Sequence, residues 1–405
     1  MADDPLTERR DRLRENVLDG LTHVCALAAL IYAERATAAL RGWVRVPAIA
    51  EERRAAADDG APVLSVVVPA RNEERTIERC VRSLLAQTLA EYEVIVVDDR
   101  SDDRTPAILD RLAREHPRLR VVRGAPLPEG WVGKPWALAQ GAHVARARWL
   151  LFTDADTWHA PHACASALAF ARARGVDALS LWTRQELGSW GERAVLPSLL
   201  SMIVVASGSL ERLNDPGDPE HALANGQYVL VSRVAHEALG GFEALRGEIV
   251  EDVAFARRLK ADGRFRLILA DGSELVAVRM YTSLRELWDG FSKNMYAGAG
   301  GDVRTLAAAA FFLALLSAVP AALAADAVAR RRPLRASEAL LCLAAGIAVQ
   351  ARAFRTTGIA PALAWFAPAG HAVTAAIVMN STLRVLSGRG VEWRGRRYTG
   401  RTPSG

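Results

Sequence analysis

Between Thr305 and Ala325, and again between Thr356 and Leu383, the chain carries no Asp, Glu, Lys or Arg. Each run is long enough to cross the hydrocarbon core of a bilayer, which takes about 20 apolar residues. A bundle made wholly of spans is excluded in turn, because 24% of the residues are charged. The charge is segregated. From about Ala61 to Gly301 the sequence reads as one water-soluble domain of ordinary size. Two shorter uncharged runs, Leu21–Ala33 and Ala339–Ala351, fall below spanning length and are expected in buried or interfacial helices. The expected organisation is an N-terminal helical segment over residues 1–60 that could anchor to the membrane, a domain over 61–301, a transmembrane region over 302–387 and a basic cytoplasmic tail over 388–405. Asp3, Asp4 and Glu8 argue against a signal peptide.

With 51% apolar residues the chain is not disordered, and Cys25, Cys80, Cys164 and Cys342 are too few and too scattered for a disulfide-stapled module. Net charge is +5, and of 51 basic residues only Lys134, Lys260 and Lys293 are lysine. No basic helix interleaved with aromatics occurs, so no nucleic acid partner is expected. Arginines cluster at Arg330–Arg332 and in the tail (Arg384, Arg389, Arg394, Arg396, Arg397, Arg401). Such clusters beside apolar spans suit anionic headgroups and topology control.

Within the soluble domain, strands and helices alternate. Leu64–Pro69, Glu93–Val97, Leu119–Val122 and Trp149–Thr153 read as strands, and Arg75–Gln87, Pro106–Glu115 and Lys134–Arg146 as helices. This order predicts an α/β fold with a mainly parallel sheet and helices on both faces. In such sheets ligands bind outside the carboxyl ends of the strands. Three of those ends deliver polar or acidic groups: Pro69-Ala70-Arg71-Asn72-Glu73, Asp98 to Asp103, and Asp154-Ala155-Asp156. One Asp after a strand is commonly a cap or turn residue; three converging ends indicate a site. Asp-x-Asp sets two carboxylates on one side of a turn, hard ligands suited to Mg²⁺ or Mn²⁺, which can also hold a diphosphate. Asp99 would accept a hydrogen bond from a nucleobase or ribose. No GxxxxGK[ST] and no GxGxxG is present, which excludes a P-loop and a dinucleotide fold. His159, His162 and Cys164 lack a fourth ligand for zinc.

In that order and spacing, SVVVPARNEERTI, VIVVDDRSDD, GKPWALAQGAH and LLFTDAD, followed by Asn225-Gly226-Gln227, Gly240-Gly241-Phe242 and Glu251-Asp252-Val253, resemble glycosyltransferase family 2 over about residues 63–300. The apolar tail, the segment MYTSLRELWDGFSKN and the ending VEWRGRRY are similar to the membrane-bound branch that glycosylates polyisoprenoid lipids, among them carotenoid-acid and hopanoid-associated enzymes. The resemblance implies a GT-A fold and an inverting transfer from a nucleotide-diphospho-sugar donor to a lipid acceptor, with a divalent cation. It places Pro69, Arg71, Glu73 and Asp99 at the nucleotide, Asp154 near ribose and metal, and Asp156 on the metal. Asp252 would be the general base, with Glu251 its rival. An acidic start to a helix is the plainer account of that pair. Lys134 opens a helix behind a glycine turn, where its charge could reach the diphosphate. Trp288, Lys293 and Glu251 are candidates on the acceptor side.

A membrane crossing at the uncharged Ala194–Leu210 would separate Asp156 from Asp252, so that stretch is expected to lie in the interface. Nucleotide sugars are cytoplasmic, so the catalytic domain is expected on the cytoplasmic side of the inner membrane. The tail arginines favour the same side. Together these require an even number of crossings after residue 300, whereas three apolar segments occur (305–325, about 337–352 and about 358–381). The middle one is expected to fall short. Two other functions are compatible with a membrane-attached domain of this kind. A processive polysaccharide synthase would carry Gln-x-x-Arg-Trp and more spans, but Arg285-Glu286-Leu287-Trp288 has another spacing. A non-catalytic membrane scaffold would have lost an acidic site, and none is lost.

Overall fold

The computed structural model describes residues 5–48, 62–218, 221–387, 391–393 and 396–398. Tail arginines 389, 394 and 401 lie outside them. Helix α1 (Pro5–Ala39) opens the chain. Then β1 (Leu64–Ala70), α2 (Ile77–Leu85), β2 (Tyr92–Asp98), α3 (Thr105–Glu115), β3 (Leu119–Arg123), α4 (Gly133–Val144) and β4 (Trp149–Phe152) alternate as expected. They are followed by β5 (Thr157–His159), α5 (Ala163–Arg174), β6 (Ala178–Trp182), β7 (Arg184–Gln185), α6 (Trp190–Ser207), α7 (Leu210–Leu213), β8 (Val229–Ser232) and α8 (Arg233–Ala238). Next come α9 (Glu251–Asp262), β9 (Leu267–Asp271), β10 (Val276–Val278) and α10 (Leu284–Gly298). Helices α11 (Val303–Leu315), α12 (Ala318–Ala329), α13 (Pro333–Thr356) and α14 (Ala367–Leu386) precede a hairpin of β11 (Val391–Trp393) and β12 (Arg396–Tyr398).

The chain forms two compact units. The first, Arg41–Leu187 with Ser207–Tyr281 and the final hairpin, is built on a seven-stranded sheet in the order β3-β2-β1-β4-β8-β6-β9. Only β8 runs antiparallel to its neighbours β4 and β6. Successive strand residues point to opposite faces, and β1 divides accordingly. Val66 and Val68 join Ile77, Val81 and Leu84 of α2 and Leu109 and Leu112 of α3 in one core layer. Val67 joins Leu138 and Ala142 of α4 and Phe255 and Leu259 of α9 in the other. A smaller sheet, β5-β10-β7, lies after the β4 end.

Helix α4 approaches β1 and β2 at Gly141. A Cβ there would fall well inside van der Waals contact of the Val67 side chain and 3.1 Å from Cγ2 of Val97. Overpacking of this kind costs about 1–3 kcal/mol. Gly141→Ala should therefore lower stability by that amount, read as a reduced melting temperature of the purified protein. An unchanged melt would mean the contact relaxes freely.

One edge of the large sheet is closed by residues just after α1. The Asp271 N–H donates to the Val44 carbonyl at 2.7 Å, and the Val46 N–H donates to the Asp271 carbonyl at 2.9 Å. The buried Asp271 carboxylate accepts from Arg45 Nε at 2.9 Å and Trp43 Nε1 at 3.1 Å. An edge covered in this way no longer offers a free row of backbone donors and acceptors.

The second unit gathers Met1–Leu40, Gly188–Ala206 and Thr282–Arg389, and so takes in two stretches that the sequence reading gave to the soluble domain. Cys25, Ala28, Ala29, Tyr32 and Ala36 of α1 pack with Leu315, Leu316, Leu323, Ala324 and Ala339. One buried polar chain runs across its helices: Tyr32 donates to Gln350, and Gln350 Nε2 donates to Ser201 Oγ at 2.6 Å. Arg335 of α13 binds Glu15 and Asp19 of α1 at 2.6 and 2.9 Å. Helix α6 approaches α14 so closely that a Cβ on Gly370 would lie 2.6 Å from the Ala194 carbonyl oxygen. The stretch expected in the interface thus packs among these helices.

Four segments are long and apolar enough to cross a membrane: Arg12–Ala39, Val303–Ala329, Pro333–Thr356 and Pro361–Leu386. Two of them contain the short uncharged runs expected to fall below spanning length. The middle segment after residue 300 is one of these. Counting uncharged residues undercounts a helix whose charges sit near its ends or are paired, as Arg335 is.

Candidate active site

At the carboxyl end of the parallel strands the β1 and β2 loops are tied together. Asn72 (φ 56°) and Arg100 (φ 57°) adopt left-handed conformations, which asparagine tolerates better than most residues. The Asn72 N–H donates to Ser101 Oγ, and the Asp102 N–H donates to Asn72 Oδ1, each at 3.0 Å. Arg71 Nη1 donates to the Asp99 carbonyl at 2.7 Å and the Arg100 carbonyl at 3.2 Å. The Glu73 N–H donates to Thr105 Oγ1 at 2.8 Å. Asp99 is buried and Pro69 half-buried in β1. The structure therefore brings Pro69, Arg71, Glu73 and Asp99 to one edge.

Beside this edge the β4 end meets two helix starts. Lys134, in the first turn of α4, places Nζ 2.7 Å from Asp154 Oδ1 and 2.7 Å from Glu251 Oε1. Burial works against an ammonium ion here. The charges of Asp154, Glu251 and Asp252 outweigh it and hold the Lys134 pKa well above its usual value. Asp252, in the first turn of α9, accepts from the Gly226 N–H at 2.6 Å through Oδ2 and from its neighbour's Val253 N–H at 2.8 Å through Oδ1. Burial first, and then the adjacent Glu251, push the Asp252 carboxyl up to about 6, against the pull of Lys134 and the two N–H groups. Leu138, Phe152, Val229, Phe242 and Phe255 wall this group with apolar side chains, and a low-polarity wall strengthens each of these electrostatic effects.

Asp154, Asp156 and Glu73 share a neighbourhood. Burial, with the charges of Asp156, Glu73 and Asp154 added to it, pushes the Cys80 thiol well above its ordinary range. Among the described residues no three His, Cys, Asp or Glu side chains are gathered closely enough to cage a metal ion. Trp288 and Lys293 lie on α10, in the helical unit.

The sequence had singled out Lys134, Asp154, Glu251 and Asp252 separately. It did not show that the Lys134 ammonium bridges Asp154 and Glu251 with the Asp252 charge nearby. For Gly226 the sequence signal is a glycine in a turn just before a strand, which by itself assigns no role.

Residues 65–237 match the family described as Glycosyl transferase family 2. In the MRSA252 strain of Staphylococcus aureus, 4,4'-diaponeurosporenoate glycosyltransferase is 27% identical over 260 residues, covering 61% of this chain and 64% of that protein. Its counterpart in strain USA300 is 27% identical over 252 residues, covering 59% and 62%. The chain thus spans less than two thirds of the length of these curated relatives. Among solved structures, mannosyltransferase PcManGT from Pyrobaculum calidifontis, in complex with GDP-Man and Mn²⁺, superposes with a TM-score of 0.51 at 20% identity. That likeness covers 92% of this chain and 98% of the other. The mainly parallel sheet, the helices on both its faces and the likeness to PcManGT agree on the GT-A fold, and within it residues 65–237 match Glycosyl transferase family 2.

Proposed function

We propose that the protein is an inverting glycosyltransferase that moves a sugar from a nucleotide-diphospho-sugar to a membrane lipid of the polyisoprenoid type. The observation that carries this reading is the joining of Asp154, Lys134, Glu251 and Asp252 at the carboxyl edge of the sheet. Inversion requires the acceptor hydroxyl to attack the anomeric carbon from the face opposite the diphosphate. As that bond forms, the bond to the diphosphate breaks, and the hydroxyl proton passes to a base across the sugar. Asp252 fits this base. It comes from a different chain segment from the Asp154–Asp156 turn, and a pKa near 6 leaves it ionised at neutral pH yet more basic than an ordinary carboxylate. Pro69, Arg71, Glu73 and Asp99 line the nucleotide side, and Lys134 offers a positive charge to the diphosphate.

Asp154 and Asp156 fit a divalent cation. The donor set is all oxygen, and Mg²⁺-type ions are commonly held by one or two carboxylates with the substrate's phosphates rather than by a protein cage. Such an ion would stabilise negative charge on the departing diphosphate. The PcManGT complex contains Mn²⁺ and GDP-Man, in keeping with both partners.

The lipid acceptor is supported by the four candidate spans and by a relative named for 4,4'-diaponeurosporenoate. Nucleotide sugars place the catalytic unit on the cytoplasmic side of the inner membrane. Mass spectrometry of lipids from cells with and without the protein tests the reading. A hexose-sized mass increment on an isoprenoid lipid, present only with the protein, is expected. A polymer in its place would mean a polysaccharide synthase, and no difference would leave the membrane scaffold.

A further inference from the structure

We infer that the backbone N–H of Gly226 is the positioning group for Asp252, and that the turn Asn225–Gln227 is a brace built to hold it. The inference rests on reading Asp252 as the base. Asp252 sits in the first turn of a helix, where its carboxylate could rotate away from a substrate. Its Oδ1 takes only the neighbouring Val253 N–H, at 2.8 Å, a contact that travels with the side chain's own segment. The Gly226 N–H, 2.6 Å from Oδ2, comes from a separate part of the chain and fixes the plane of the carboxylate.

The turn is anchored on its other side. The Asn225 N–H donates to Ser180 Oγ at 2.8 Å, and Asn225 Nδ2 donates to the Leu181 carbonyl at 3.0 Å, both on β6. Thr153, at the end of β4, donates to the Gln227 carbonyl at 2.7 Å, and Thr183 donates to the Gln227 side chain. Gln227 and Tyr228 are buried. With the turn held by β4, β6 and the residue after β6, the Gly226 N–H has one direction to point, and Asp252 lies along it.

The absence of a side chain at 226 is part of the device. A Cβ there would stand 3.0 Å from Asp252 Oδ2 and 3.0 Å from Lys134 Nζ. A methyl group would press on the base and on the ammonium that joins the carboxylates, moving both without touching the nucleotide edge. The N–H also favours the ionised carboxylate, against burial and Glu251.

The test uses full-length protein in detergent, with radiolabelled UDP-glucose, UDP-N-acetylglucosamine and GDP-mannose as donor probes. Vesicles of total bacterial lipid serve as acceptor. Misplacing a reacting group by about 1 Å can cost ~10²-fold, so Gly226→Ala should lower kcat by roughly 30-fold or more. Donor KM should stay within about twofold, because the lost interaction is made in the reaction and not in donor binding. Asn225→Ala, which adds no bulk, should lower kcat about 3- to 10-fold with the same unchanged KM. A Gly226→Ala enzyme with the native kcat, beside an inactive Asp252→Asn enzyme, overturns the brace and leaves the base in place. Asp252→Asn with native turnover overturns the base and the brace with it. If Gly226→Ala does not fold, Asn225→Ala decides, and an unchanged kcat or a rise in KM alone counts against the inference.

Discussion

Asp252→Asn is expected to lose sugar transfer by about 10²- to 10⁴-fold, the range for removal of a general base, while donor binding stays near the native level. Asparagine keeps the shape of the side chain and one acceptor oxygen for an N–H group, but it cannot take the proton of the acceptor hydroxyl. Arg71, Glu73 and Asp99, proposed for the donor, lie on other loops and are left intact. The same substitution should not weaken the fold. The carboxyl is raised from 3.8 to about 6 in the folded protein, so between those values the folded state binds more protons than the unfolded one. Stability therefore falls as pH rises through that window, and at neutral pH the ionised carboxylate is a cost. Asparagine removes that cost but leaves one of the two N–H donors without an acceptor, which costs about 1–3 kcal/mol; the two offset, and the melting temperature should change little. The groups facing Asp252 are Glu251, Lys134 and the two N–H groups. The native enzyme's kcat/KM should climb between about pH 5 and 7, as a base of this kind requires. Titration of donor binding, a thermal melt and a pH–rate profile check these points together. Collapse of donor affinity in the variant would mean that Asp252 holds the donor.

Asp156→Ala is expected to cost turnover about 10³-fold, the scale of several kcal/mol of lost charge stabilisation at a leaving diphosphate. Alanine removes one of the two carboxylates fitted to the divalent ion. It leaves Asp154 to Lys134, 2.7 Å away, so the remaining ligand is one that already has a cation. Mn²⁺ binding in the presence of UDP or GDP, followed by electron paramagnetic resonance, should weaken in parallel with activity, and the melting temperature should hold. Native turnover with native Mn²⁺ binding would remove Asp156 from the metal site.

The strand ends were legible because their signals are local. β-branched runs such as Leu64–Pro69 and Glu93–Val97 stop at polar residues that cannot continue a buried strand, and the acids that follow mark the ligand edge. The pairing of β8 between β4 and β6 was not legible, since an antiparallel insertion is decided by contacts between distant segments. The bridge from Lys134 to Glu251 was hidden for the same reason: each residue reads as an ordinary helix-start charge until the sheet brings α4 and α9 together. At α6 the apolar stretch was visible, but its neighbours were not. The meeting of Ser201 with Gln350, and of Gly370 with the Ala194 carbonyl, follows from packing among helices far apart in the chain. Charge counting cut α13 short because the uncharged run stops at Glu338 and Arg352, whereas the helix runs from Pro333 to Thr356 and its Arg335 is neutralised by Glu15 and Asp19 within the helix pair.

The closure of the sheet edge by Val44 and Val46 has a bearing on how the molecule is made. These residues precede every strand of the large sheet in the chain, yet their hydrogen-bond partner, Asp271, is translated at the end of that sheet's last strand. Pairings this distant in sequence form late. Through most of synthesis, therefore, the segment behind α1 waits unpaired, and it reaches its place only when β9 emerges. A nascent chain arrested before Asp271 would carry two open strand edges at once, the kind of species that aggregates or is handed to chaperones. Completion of β9 is thus the point in translation at which this edge of the sheet can close.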